Sequence, residues 1–164
     1  MAARRERQLL KPGRKAPDFT LPSLEGDSHS LTRLLTAGPV LLAFFKVSCP
    51  VCQFALPYLE RLQQPPASSG IRIVGISQDD ARATRDFLRE FGCTFLTLIE
   101  DENTYESSNA YGLSHVPSIL LVEPDGVISY SFAGWSKTDM DWIARRFAVF
   151  LFHPGEHVPA WKAG

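Results

Sequence analysis

The sequence predicts an α/β domain with a mixed central β-sheet flanked by helices. Two patterns carry that class. Apolar runs of strand length alternate with apolar residues at helical spacing, and a hairpin signature followed by a last amphipathic segment comes near the end. At 164 residues, 45% hydrophobic and 21% charged, the chain fits one domain and can bury a core without disulfide staples.

Residues 1–15 read as a flexible N-terminal arm. Ala16-Pro17-Asp18-Phe19-Thr20-Leu21-Pro22 is a short extended segment bounded by prolines, and Leu24-Glu25-Gly26-Asp27 supplies a turn. Val40–Phe45 is an unbroken apolar run, as expected of a strand covered on both faces. Ile71–Ile76 and Ser118–Val122 read likewise, and Pro124-Asp125-Gly126 turns the chain into a second hairpin arm over Val127–Phe132.

Helices fill the intervals. Val51, Phe54, Ala55, Tyr58, Leu59 and Leu62 lie on one helix face, with Pro57 expected to kink the axis. Asp79 can cap a helix that buries Thr84, Phe87, Leu88 and Phe91 and ends at Gly92. A short helix fits Asn103–Tyr111 before Gly112. Ser136-Lys137-Thr138-Asp139 opens a last helix with Met140, Ile143, Phe147 and Phe150 inward. The domain thus spans 16–152, and the Pro- and Gly-containing tail, 153–164, is expected to be irregular.

The net charge of −1 gives no reason to expect nucleic acid or a membrane as partner. The basic N-terminus leads into no apolar run of signal-peptide length, and no stretch approaches the roughly 18 apolar residues of a membrane span. The expected location is the cytoplasm.

Three cysteines are too few, and odd in number, for a disulfide-stapled secreted domain. Cys49 and Cys52 are spaced for chemistry. The strand ends at Phe45, Cys49 falls at a helix N-cap, and Pro50 takes the first helical position, where its missing N–H costs nothing. Free amides and the helix dipole there favour a thiolate, so Cys49 is expected to have a lowered pKa and an exposed sulfur. Cys52, one turn on, is expected to be the more buried. A zinc site would need two further ligands, and no second clustered pair exists, so no metal is expected. Pro117, in Ser114-His115-Val116-Pro117-Ser118, stands directly ahead of a strand; simply starting that strand is its plainer role.

With these residues in view, the run from Ala16 to about Phe150 resembles the TlpA/ResA-like branch of thioredoxin-like thiol–disulfide oxidoreductases. That branch shares its architecture with the alkyl hydroperoxide reductase (AhpC/TSA) and peroxiredoxin group. The Ala16–Leu21 entry segment, the Phe45–Cys52 turn, Pro57, Val116-Pro117 and Pro124-Asp125-Gly126 carry the likeness in order. It implies a thioredoxin-like fold with an N-terminal extension and an inserted strand–helix unit over Asp79–Tyr111. It also implies a cis Val116–Pro117 pair facing the substrate, a part in cell redox homeostasis, and no cofactor beyond a redox-active Cys49–Cys52 disulfide. In the implied mechanism Cys49 attacks a protein or small-molecule disulfide, Cys52 resolves the mixed disulfide, and an upstream thiol reductant restores the pair. Direction depends on a potential within a range of roughly −270 to −120 mV.

The chain departs from the pattern at three places. Ser48 replaces a tryptophan, Ala43 a buried aspartate and Ala55 a glutamate, so Cys52 lacks its usual proton acceptors and is expected to have a high pKa. Lys46 and His115 are candidate pKa modulators, against the plainer readings of a solvated lysine and a loop histidine. Cys93 reads as a core residue, with a regulatory thiol as the sharper alternative. Two rival functions stand beside disulfide exchange: a peroxiredoxin-like thiol peroxidase using Cys52 as peroxidatic cysteine, and a non-catalytic binding module.

Overall fold

A computed structural model describes residues 7–63 and 70–164. Its elements run β1 (Thr20–Pro22), β2 (Ser28–Ser30), α1 (Leu31–Leu34), a 3₁₀ turn at Leu35–Ala37, β3 (Val40–Phe45), α2 (Pro50–Leu62) and β4 (Arg72–Ser77). They continue with α3 (Ala81–Glu90), β5 (Leu96–Ile99), α4 (Glu106–Ala110), β6 (Ser118–Val122), β7 (Ile128–Ala133), β8 (Trp135–Ser136), α5 (Lys137–Arg146) and β9 (Trp161–Lys162).

The five-stranded central sheet has the order β5-β4-β3-β6-β7, with β3, β4 and β5 parallel and β6 and β7 antiparallel to their neighbours. Period-two alternation divides β3 between two cores. Leu41, Ala43 and Phe45 face the helical layer of α2, α3 and α5. Val40, Leu42 and Phe44 face the layer built from the entry segment, α1 and Tyr111. Every residue of β3 is fully buried, which is why its sequence carries no polar alternation. On α2, Leu56, Leu59 and Leu62 are also fully buried, each contributing about 1.5–3 kcal/mol. The helix runs unbroken through Pro57.

Sheet register positions the site. Phe44 lies opposite Ser118 in the antiparallel β3–β6 pair, and Phe45 beside Ser77 in the parallel β3–β4 pair. The segments after β3, before β6 and after β4 therefore gather at one sheet end.

Several expectations need correction. The cap of α3 is Asp80, which accepts the Ala83 amide at 2.8 Å, and not Asp79. Phe150 points outward and is 97% exposed. The helix ends at Arg146, Ala148 takes a left-handed conformation, and the reversal brings Leu151 inward in its place. The tail is not irregular throughout: β9 pairs with β8, Trp135 Nε1 donates to the Pro159 carbonyl at 2.7 Å, and Glu156 takes hydrogen bonds from Arg61 and Tyr58 of α2 at 2.9 Å.

The described part of the N-terminal arm is tied down. The Leu10 amide donates to Tyr111 and that of Gly13 to Ile128, at 3.1 and 2.8 Å, and just after the arm the Ala16 amide donates to Gly126 at 2.9 Å. Gly112, which ends α4 at φ 74°, lets the arm pass: a Cβ there would overlap the Gln8 carbonyl. The first six residues of the expected arm lie outside the described residues.

Candidate active site

The dithiol turn is built by helix initiation. Cys49 is the N-cap of α2 (φ −83°, ψ 114°), its carbonyl accepting the Gln53 amide at 3.0 Å and its sulfur the Cys52 amide at 3.2 Å. The cysteine sulfur thus takes the place a serine or aspartate oxygen holds in an ordinary cap. Pro50 follows at the first helical position. Cys49 is half-buried, while Cys52 is completely covered; both are free thiols here.

Cys52 packs in the same apolar cluster as Ala43 and Ala55. Burial among such neighbours, with the hydrogen bond to Cys49 second, pushes its thiol well above the ordinary range; the negative charge of Asp79 adds to this, and a Lys46 backbone contact opposes it. Cys93 is likewise buried, its thiol pushed up to about 12, consistent with a core role.

The Val116–Pro117 peptide is cis. The Cys49 thiol donates to the Val116 carbonyl at 3.5 Å, so the structure brings this pair to the sulfur. The Pro117 carbonyl accepts the Gly134 amide at 2.8 Å, and Ser118 Oγ donates to the His115 carbonyl at 2.8 Å, which fixes the loop from behind. Lys46 adjoins the turn through its carbonyl, which accepts the Cys49 amide at 3.3 Å. Lys46 and His115 both line a cavity alongside Val116, and the side chain of neither is hydrogen-bonded to a sulfur.

Sequence reasoning missed three contacts. The Val47 amide donates to Asp79 Oδ2 at 2.8 Å, and Gln53 Nε2 donates to the Val47 carbonyl at 3.0 Å, so the turn is held from both sides. Gly164 lies against Val116 and His115. Only Asp79 left a trace in the sequence: a helix cap uses one aspartate, and Asp79-Asp80 supplies two.

Residues 12–131 match the AhpC/TSA family. The chain belongs to the AhpC/TSA family. Within it, the chain is similar to the thiol-disulfide oxidoreductase ResA of Geobacillus thermodenitrificans, 29% identical over 79% of this chain and 73% of that protein. ResA of Halalkalibacterium halodurans is 29% identical over 75% of this chain and 69% of that one. Among solved structures, the thioredoxin domain of a thiol-disulfide oxidoreductase from Bacteroides vulgatus superposes with a TM-score of 0.74 at 24% identity, covering 84% of this chain and 98% of that one. Peroxidoxin BcpB from Mycobacterium tuberculosis gives 0.70 at 21% identity, over 85% and 95%. The fold is therefore thioredoxin-like, and its structural neighbours include proteins named both as disulfide oxidoreductases and as a peroxidoxin. The site must decide between them.

Among the described residues, no helix is long and apolar enough to cross a membrane, and no three His, Cys, Asp or Glu side chains cluster as a metal site would need.

Proposed function

We propose that the chain is a thiol–disulfide oxidoreductase in which Cys49 is the nucleophile and Cys52 the resolving thiol. The observation that carries this reading is the asymmetry of the pair: Cys49 is partly open and receives an amide hydrogen bond on its sulfur, whereas Cys52 has no exposed surface. An amide N–H aimed at sulfur stabilises the anion more than the neutral thiol. The Cys49 thiolate attacks one sulfur of a substrate disulfide, the S–S bond breaks, and the departing half leaves as a thiol after taking a proton from water. Cys52 then attacks Cys49 and expels the second half, so two electrons pass to the substrate and the Cys49–Cys52 disulfide remains. An upstream dithiol returns the electrons. No other cofactor is needed in this scheme.

Val116 faces the substrate in this proposal, its carbonyl having the nucleophile within reach, while Pro117, expected beside it at the surface, is buried and acts only by shaping the loop. The low, odd cysteine count fits a reducing compartment, so we place the chain in the cytoplasm working as a reductase. Peroxide reduction at Cys52 is disfavoured because a sulfur with no exposed surface offers peroxide no approach.

Trapping with Cys52→Ser tests the assignment. It should freeze a mixed disulfide on Cys49, and Cys49→Ser should abolish dithiothreitol-driven insulin reduction. Intact turnover in Cys49→Ser with loss in Cys52→Ser would reinstate the peroxidase reading. Equal rates for wild type and the double-serine variant would leave a binding module.

A further inference from the structure

Beside the cis-proline loop a cavity of about 400 Å³ opens, with Arg7, Lys46, Asn109, Ser114, His115 and Val116 in its lining. It shares two residues with the surroundings of the nucleophile, because the Lys46 carbonyl accepts the Cys49 amide and the Val116 carbonyl accepts its thiol. Arg7 and Lys46 bring positive charge, and no aspartate or glutamate lines the cavity. One acid stands behind the wall, Glu100, which is buried and already takes both the amide and the hydroxyl of Ser108. Among the described residues, neither Arg7 nor Lys46 belongs to an ion pair. His115 Nδ1 is engaged by Ser114 Oγ at 2.8 Å, which orients the ring.

Pairing of β9 with β8 carries the chain on to Gly164, where an added Cβ would overlap the Val116 carbonyl and approach His115 Cδ2 to 2.7 Å. Gly164 thus partly covers the Val116 carbonyl, to which an extended polypeptide would pair, without closing it. A small disulfide entering by the cavity meets no such cover.

We infer that the cavity bounded by Arg7, Lys46 and His115 binds a carboxylate of a small anionic disulfide and seats its sulfurs at Cys49. The inference rests on the disulfide-exchange reading and narrows its substrate class. Bond making and electron flow are those of that reading, with a dithiol as reductant.

The test uses glutathione disulfide as an anionic probe and hydroxyethyl disulfide as a neutral one, with dithiothreitol as reductant and the uncatalysed rate subtracted. The readout is the ratio of kcat/KM for the anionic probe to that for the neutral probe. Wild type should favour the anionic probe, and Lys46→Gln should lower the ratio about fivefold or more, with the change lying in KM. Raising salt from 0.05 to 0.5 M should lower the wild-type ratio in the same direction. A ratio unaffected by Lys46→Gln and by salt, in a wild type that does reduce hydroxyethyl disulfide, overturns the inference and leaves the exchange reading standing. A wild type that reduces insulin but neither probe overturns the inference alone, and one inert toward insulin and both probes overturns the two together.

Discussion

The backbone amide of Val47 donates to the carboxylate of Asp79 at 2.8 Å, joining the dithiol turn to the start of α3 across 32 residues of sequence. A hydrogen bond to a charged group contributes about 1.5–3 kcal/mol, and this one also fixes the backbone two residues ahead of Cys49. Asp79→Ala should lower unfolding free energy by about 1–3 kcal/mol in urea titrations and slow insulin reduction about tenfold. Asp79→Asn keeps an acceptor oxygen and should recover much of both. An Asp79→Ala variant with wild-type rate and stability would show that Gln53 holds the turn alone.

Burial holds the Cys52 thiol above its ordinary range, and that has a kinetic consequence with a definite sign. A raised pKa leaves the neutral thiol dominant near neutrality, and its reactive anion grows with pH. Release of the second substrate half should therefore accelerate about tenfold per pH unit between pH 6 and 9. Single-turnover stopped-flow measurements on a preformed Cys49 mixed disulfide read this step directly. A flat profile would mean that a local base removes the proton.

The hydrogen bonds from Arg61, first, with help from the His153 amide and Tyr58, hold Glu156 down to about 2. A depressed carboxyl adds stability above its ordinary value near 4.5, and that stability is lost as pH falls through about 2. Trp135, whose indole donates to Pro159 in the same tail, is a suitable reporter. Its fluorescence should change between pH 4.5 and 2 in wild type. In Glu156→Gln the tail should already be loosened at neutral pH, with faster amide exchange at Lys137, whose amide bonds Ala160.

Gly75 sits in β4 beside Ala43, and a Cβ there would lie 2.9 Å from Phe95 Cε2 and 3.2 Å from Phe45 Cε1. Both rings are packed in the core, so they cannot yield freely. Gly75→Ala should cost about 1–3 kcal/mol through overpacking, seen as a fall in Tm of about 2–4 °C for each kcal/mol. An unchanged Tm would indicate that the Phe95 ring can rotate away.

Local pattern made β3, α2, β6 and the hairpin legible, because each buries a face whose period is written in a few consecutive residues. It also placed Cys49 at a helix cap and Val116-Pro117 ahead of β6, since proline chemistry acts on immediate neighbours. What escaped depends on residues far apart in sequence. Helical spacing carried past Phe147 put Phe150 inward, but the chain reverses at Ala148 and Leu151 takes that role. The pairing of Trp161 with Ser136 and the reach of Asp79 to Val47 leave no periodic trace at all.

Arg7 and Gly164 are far apart in sequence, yet Arg7 lines the cavity beside the cis-proline loop and Gly164 lies against Val116 of that loop. A bulky label attached at Arg7 or at Gly164 would stand beside the proposed entry for the substrate. Labels of graded size at either residue then work as adjustable obstructions. The exposed hairpin tip at Asp125, on a different loop, is the better place for a label meant to leave turnover alone.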